Sequence, residues 1–318
     1  MRNEAIIDGH TDVLLALIQQ RRKFSQESEL GHVDLPRMKK GNVIAAFFAI
    51  WPGVNQFYIQ KGVRQLLELV EEPKNEALFI KKLDDLERAN KEDKIGVIFH
   101  LEGVGGFDTE FHLLNILYRL GLRSFGITWS DMNIFGSGSS FDPSVPEDTR
   151  GLTAEGKELV LEANKLGIIV DVSHLSDKSF YEVLEVTKKP IIASHSSCRA
   201  ISPVSRNLTD DMIRDLAEND GLMGINFGNM FLREDCGRSD DTPFTKIIDH
   251  VDHVKNLVGP NHVAFGSDFD GTGVPLEVKD MTGYNKLREE MTKRGYSDKD
   301  INKICHGNFM RIFKKVWK

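Results

Sequence analysis

The 318-residue sequence predicts an α/β chain in which eight parallel strands, each followed by a helix, close into one barrel spanning residues 1–318. Three observations carry this expectation. Short apolar runs rich in Val, Ile and Phe recur eight times down the chain, and their near-continuous apolar character, rather than period-two alternation, is what strands covered on both faces require. Helical patterns fall between most of them. No Pro/Gly/Ser-rich linker divides the chain into halves, and α/β barrels often use this length in one domain.

In chain order the runs are "AII" before Asp8, "VIAAFFAI" from Val43, "IGVIFHLEG" from Ile95, "RSFGITWS" from Arg123, "GIIVDVSH" from Gly167, "PIIASHS" from Pro190, "GLMGINF" from Gly221 and "HVAFGSDFDG" from His262. The helical patterns are "KGVRQLLELVEE", "EFHLLNILYRLG", "TAEGKELVLEANKLG", "DKSFYEVLEVTKK", "TDDMIRDLAENDG" and "FTKIIDHVDHVKNLVG". The second and third end in glycine, as helices with a left-handed cap do. An open doubly wound sheet is the structural alternative, but no GxGxxG or GxxxxGKS follows an early strand. The reading is therefore a (β/α)8 TIM barrel. Two connections, Ser130–Gly151 and Asn229–Pro243, are long and polar enough to serve as lids over its mouth. "NLTDD" at 207–211 reads as a helix start capped by Thr209 or Asn207.

Composition excludes several functions. With 40% hydrophobic and 28% charged residues the chain is globular, and its net charge of −7 offers no general attraction for nucleic acid or anionic lipid. No segment reaches 18 apolar residues, and "MRNEAIIDGHTD" lacks the apolar stretch of an export signal. Three scattered cysteines, Cys198, Cys236 and Cys305, fit a reducing interior better than a disulfide framework. A cytoplasmic protein without a membrane anchor is expected.

In a barrel of this kind the strand ends face the catalytic mouth. Those ends carry His10 and Asp12, Glu102, Asp131 or Asn133, His174, His195, Asn226, and Asp268 with Asp270. His10 and Asp12 are two apart, so on extended chain they share a face, with Cα atoms roughly 6.7 Å apart. His174 and His195 close adjacent strands and suit one cation, while Glu102 suits a bridge to a second held by His10 and Asp12. A His/Asp/Glu set without thiolate favours two divalent ions, zinc first, with manganese or cobalt as the other candidates. Asp268 is placed to take a proton from water as general base. Asp270 is its rival, because it lies on the same face but farther from the strand end. His100 reads as a partner standing behind Glu102, His112 as a surface or cap residue, and His250 with His253 as an ordinary partly exposed helix face.

Taken together, "DGHTD" at 8–12, "LEGVGG" at 101–106, "GLTAEGKELVLEANKLGIIVDVSH" ending at His174, "PIIASHSSCRAISPVSRN" at 190–207, "HVAFGSDFDG" at 262–271 and "HGNFMRIF" at 306–313 resemble the membrane dipeptidase (renal dipeptidase) family, peptidase family M19, among the amidohydrolase-like metal-dependent hydrolases. The resemblance runs over nearly the whole chain. It implies a zinc-dependent dipeptidase that hydrolyses small peptides through a hydroxide bridging two metal ions. His10 and Asp12 would hold one ion, His174 and His195 the other, with Glu102 between them and Asp268 as base. It further implies that Arg206 holds the substrate's C-terminal carboxylate and that the protein is a homodimer. One departure stands out: "ITWSDMN" puts Trp129 where the mammalian members have a histidine that contacts the substrate carbonyl. An indole donates one hydrogen bond and carries no proton or charge. Asn133, in the long loop over the mouth, is the candidate to replace that donor. The alternatives are a related amidohydrolase acting on another amide, a lactone or a phosphoester, and a catalytically silent barrel used for binding or assembly.

Overall fold

A computed structural model describes residues 4–142, 144–145 and 149–318 and contains a nine-stranded parallel sheet. The strands are β1 (Ile6–Thr11), β2 (Val43–Ile50), β3 (Ala77–Phe79), β4 (Ile95–Glu102), β5 (Leu122–Gly126), β6 (Ile169–Asp171), β7 (Ile192–Ser196), β8 (Leu222–Ile225) and β9 (Val263–Phe265). Eight of them follow one another in the order β1-β2-β4-β5-β6-β7-β8-β9. The two ends of that row meet, since Asp12 N–H donates to Phe269 O at 2.9 Å and Asp268 N–H to His10 O at 3.1 Å. The fold is a (β/α)8 barrel. Each predicted run supplies one of these eight strands, and every residue of β2 and β4 is buried, as a strand covered on both faces must be. β3 is the addition: it pairs with β4 outside the ring, and at three residues it is too short to show in the apolar pattern.

The predicted helices occur at Gln56–Glu71, His112–Leu120, Ala154–Leu166, Asp177–Val186, Asp210–Glu218 and Thr245–Val258. The first begins before Lys61 because the Asn55 side chain accepts from Tyr58 N–H at 3.2 Å, capping an extra turn. Thr209, not Asn207, caps Asp210–Glu218, accepting from Met212 N–H at 3.2 Å. Asn207 instead holds the loop before it, through Ser197 N–H, Ser202 O and Phe231 O. Gly167, with φ +79°, ends Ala154–Leu166 in the left-handed region that costs glycine nothing.

Alternation along the strands sorts the core into two layers. Ile7, Ala45, Phe47, Ile98, Ile169, Ile192, Leu222 and Ala264 pack inside the ring with Phe309 and Phe313 of the helix Asn308–Val316. That helix closes the end of the barrel where most strands begin. Ile6, Phe48, Val97, Phe99, Phe125, Val170, Met223 and Phe265 point outward into the layer shared with the surrounding helices. The opposite end, past the last residues of the strands, is left for polar groups. Among the described residues no helix is long and apolar enough to cross a membrane.

Of the two predicted lids, Asn229–Pro243 opens with a one-turn helix, Asn229–Leu232, whose residues are all buried. The 130–151 connection is pinned by short antiparallel bridges, Gly136 to Leu152 and Gly138 to Leu175, and by a buried cluster of Ser137, Ser176 and Ser179 hydroxyls. Part of it, residues 143 and 146–148, lies outside the described residues.

Candidate active site

Strand ends deliver the expected residues to one buried cluster. His10 comes from β1 and Asp12 from the residue after it, Glu102 is the last residue of β4, His174 follows β6, His195 sits in β7 and Asp268 follows β9. Glu102 Oε1 lies 2.9 Å from His174 Nε2 and 3.6 Å from His195 Nε2. Its Oε2 lies 3.5 Å from His10 Nε2, which is 3.6 Å from Asp12 Oδ2. Ligand atoms of His10, Glu102 and His195 fall within 4.8 Å of one another, as do those of His10, Asp12 and Asp268. Three residues of this region, His174 (φ +71°), Asp268 (φ +59°) and Asp270 (φ +69°), take left-handed backbone that side chains other than glycine adopt at a cost of about 1–3 kcal/mol each. Gly271 shows how tightly the chain is drawn in: a Cβ there would stand 2.0 Å from Asp12 Oδ2 and 2.4 Å from Asp268 Oδ1.

Two tests show that the donor set fits divalent cations. His10 is fully buried and neither ring nitrogen has a hydrogen-bond partner, although Nε2 faces two carboxylates at distances too long for hydrogen bonds. His195 has its tautomer fixed from behind. Ser194 Oγ donates to Asp171 Oδ2 at 2.5 Å, so it accepts from His195 Nδ1–H at 2.7 Å, and the Nε2 lone pair faces the cluster. His174 is held likewise, with Nδ1 3.2 Å from Ser130 Oγ and Nε2 3.0 Å from His195 Nε2. Two imidazole nitrogens pointed at one spot beside a carboxylate oxygen suit one ion. Asp171 and Ser194 were not singled out in the sequence, where "IVDVSH" and "ASH" carry no visible sign that the Asp and Ser stand behind a histidine.

Charge in the cluster is strongly perturbed. Burial opposes ionisation of Glu102, yet the charge of His10 and the closeness of the His10, His174 and His195 imidazoles hold its carboxyl well below the usual range. Burial also opposes a charged His10, but Glu102 and Asp12 carry it well above an ordinary imidazole. Burial and the neighbouring Arg206 charge push His174 down to about 4. Burial pushes Asp268 up to about 8, helped by Asp12 and Glu102 against the opposing charge of His10.

The remaining expectations divide. Asn226 Nδ2 donates to Asp268 Oδ2 at 3.0 Å, so it orients the acid. Asp270 is no rival for the base: its carboxylate is spent on Arg22 Nη2 at 2.7 Å and His32 N–H at 2.6 Å. Asn133 engages its own loop with its oxygen and one of its two amide hydrogens, so the oxyanion role expected of it would fall to the other. Its Nδ2 donates to Ile127 O at 2.7 Å, while Oδ1 accepts from Phe135 N–H at 2.8 Å and Gly136 N–H at 3.2 Å, which ties it into its own loop. Trp129 stands over the cluster, its ring 5.9 Å from that of His174 and 5.5 Å from that of Trp51. Arg206 is 3% exposed and anchored by Ser196 Oγ at 2.7 Å and His195 O at 2.8 Å, with Phe231 beneath it. His100 is buried behind the cluster, its Nδ1 3.1 Å from Ser124 Oγ and its ring edge-on to His10. His112 is exposed on Asp108 as expected. His250 is corrected: it is fully buried, accepts from Cys198 N–H at 3.0 Å and faces Leu232 O, whereas His253 is partly exposed against Asp210.

The cluster opens into a cleft of about 450 Å³ lined by Asp12, Glu102, His174, Arg206, Asn226 and Asp268. A second chamber of about 790 Å³ adjoins it, and the two share Leu15, Gln19, Trp51, Glu102 and Trp129 as a common wall.

Comparison with known proteins bears on this geometry. The sequence profile of the family described as "Membrane dipeptidase (Peptidase family M19)" matches residues 1–318. "Dipeptidase aclJ" of Aspergillus oryzae is 31% identical over 336 residues, covering 98% of this chain and 78% of the relative. A crystal structure of a dipeptidase assigned to family M19 superposes with TM-score 0.94 and 32% identity over 99% of both chains. A metallopeptidase from Rhodobacter sphaeroides, bound to a phosphinate mimic of the dipeptide L-Ala-D-Ala, superposes with TM-score 0.92 and 31% identity over 98% of this chain and 99% of that one.

Proposed function

The chain belongs to the membrane dipeptidase family, peptidase family M19, and is a metal-dependent dipeptidase; from that premise we propose that it works with two divalent cations, zinc first, held by the five ligands described above. His10 and Asp12 would hold one and His174 and His195 the other, with Glu102 available to both. The observation that carries this is the split of Glu102, with Oε1 toward His174 and His195 and Oε2 toward His10. When bound, such ions polarise a carbonyl and lower the pKa of water, which is the chemistry peptide hydrolysis needs.

The chain's own groups do the rest. Arg206 receives the substrate's C-terminal carboxylate, a task suited to a guanidinium already locked in orientation by Ser196 and His195. That fixes the scissile carbonyl over Glu102 and the histidines. Asp268, steered by Asn226, takes the proton from the attacking water and returns it to the leaving amine. Trp129 is the side chain that contacts the substrate carbonyl region, with its indole N–H as the donor there. The reading extends to a cytoplasmic homodimer. Support comes from three unpaired cysteines and from a groove of about 500 Å³ between helices Gln56–Glu71 and His112–Leu120, edged by exposed Ile116 and Leu120.

Metal content measured by plasma mass spectrometry on purified protein, beside hydrolysis of free-acid dipeptides before and after chelation, tests the proposal. Close to two equivalents of transition metal, with activity lost to chelator and restored by zinc, is expected. An active, metal-free and chelator-insensitive protein would falsify it.

A further inference from the structure

We infer that this enzyme prefers dipeptides whose N-terminal residue carries a large apolar or aromatic side chain, and that the side chain lodges in the chamber adjoining the metal-site cleft. The inference rests on the dipeptidase reading above, which supplies the direction of the substrate.

Ring order sets that direction. Arg206 is tied to β7 through Ser196 and His195. The chamber is walled by Trp51 and Val54 after β2, Tyr58 of the helix Gln56–Glu71, and Trp129, Met132 and Ile134 after β5. Glu102, at the end of β4, stands between β2 and β5 and lines both spaces. A substrate with its C-terminal carboxylate on Arg206 and its scissile carbonyl beside Glu102 therefore has one part left to continue past Glu102 and Trp129, the N-terminal residue.

Size and polarity set the class. The 450 Å³ cleft alone lies within the roughly 300–1,000 Å³ that holds a small ligand, so the 790 Å³ chamber is space that a dipeptide of two small residues does not need. Its walls leave apolar surface facing water: Val54 is 56% exposed, Tyr58 43%, Met132 44% and Ile134 48%. Apolar side chains exposed around one concavity, contiguous with a polar catalytic cleft, mark a site that gains by burying an apolar guest. Besides Glu102, which belongs to the metal-site cleft, the charges on the chamber are Lys61 and Asp131; both are exposed to solvent, so neither imposes a charged partner on a ligand held inside. Trp51 and Trp129, 5.5 Å apart and tilted by 60°, offer two aromatic faces at the entrance.

The test is a kinetic panel on the zinc-loaded enzyme with X-Ala dipeptides, X being Gly, Ala, Leu, Phe and Trp, and with the reversed Ala-X series. kcat/KM is expected to rise by about tenfold or more from Gly-Ala to Phe-Ala and Trp-Ala, and by less across Ala-X. Val54→Trp and Met132→Trp, which place bulk in the chamber from half-exposed positions, are each expected to lower the Phe-Ala to Gly-Ala ratio about tenfold. Ile134→Ala, which removes part of the wall, moves the ratio the same way and covers the case in which a bulky variant fails to fold. A flat X-Ala series, or a ratio unchanged in the folded variants, overturns this inference while leaving the dipeptidase reading standing. Hydrolysis of no dipeptide at all by zinc-loaded enzyme would overturn both.

Discussion

Asp268 and Glu102 are buried in the same cluster, yet their surroundings push them in opposite directions. Glu102 is surrounded by three imidazoles that favour its charge, whereas Asp268 sits beside Asp12 and Glu102 with one neutral donor, Asn226. On the reading proposed above, Glu102 is a ligand and Asp268 the base. Asp268→Asn preserves an oxygen for Asn226 but cannot take a proton, so metal content is expected to stay near two equivalents while turnover falls about 10²–10⁴-fold. Glu102→Ala is expected to lose metal. Because Asp268 also lies within reach of His10 and Asp12, metal analysis of the folded Asp268→Asn protein is decisive: if its metal is gone, Asp268 is a ligand and the base lies elsewhere.

At the level of elements, the catalytic end depends on how the other end is closed. The helix Asn308–Val316 inserts Phe309 and Phe313 among the inward residues of the strands, with ring centroids 5.4 and 6.0 Å from Phe47, and Phe313 stacks on Trp317 at 3.9 Å. Phe313 is fully buried, so Phe313→Ala leaves a cavity lined by Phe47, Phe309 and Trp317. Thermal or urea unfolding is expected to show a loss of about 3–5 kcal/mol. Metal content of the folded fraction is expected to be unchanged, because the cavity lies at the far end of the barrel from Glu102. A loss of metal in that variant would mean that the C-terminal helix also sets strand spacing at the mouth.

For the whole molecule, pH also acts through side chains remote from catalysis. His250, on the helix Thr245–Val258, is pushed down to about 4 by burial, against weaker support from Leu232 O and Asp249. It is neutral in the fold, with Nδ1 accepting from Cys198 N–H. The unfolded chain takes up a proton near the ordinary histidine value of about 6.5 that the native chain refuses until about 4. Stability therefore rises with pH across this window, and lowering the pH from about 6.5 to about 4 removes on the order of 3 kcal/mol through this residue alone. His250→Gln, whose side-chain oxygen can still accept from Cys198, is expected to flatten that part of the stability profile. Urea midpoints at pH 5 and pH 7 should lie closer together in the variant than in the parent, and an unchanged difference would assign the acid sensitivity to other groups.

Local order along the chain determined the barrel and the polar groups that reach its mouth. Eight apolar runs become strands because burial on both faces needs nothing but continuous apolar side chains, and a residue at the end of such a run has to emerge at the mouth. His10, Asp12, Glu102, His174, His195 and Asp268 were legible for that reason. β3 was not, since three residues carry no period. Only tertiary structure decided what stands behind each of these groups and what each remaining polar group is free to do. Asp171 reaches His195 through Ser194 across two strands, and Asp270 is claimed by Arg22 and His32 from some 240 residues earlier in the chain. Asn133 is drawn into its own turn. Hydrogen bonds of this kind depend on distances closed by the whole fold, whereas strand identity depends on near neighbours, so the sequence by itself could name the groups at the mouth but not apportion their bonds.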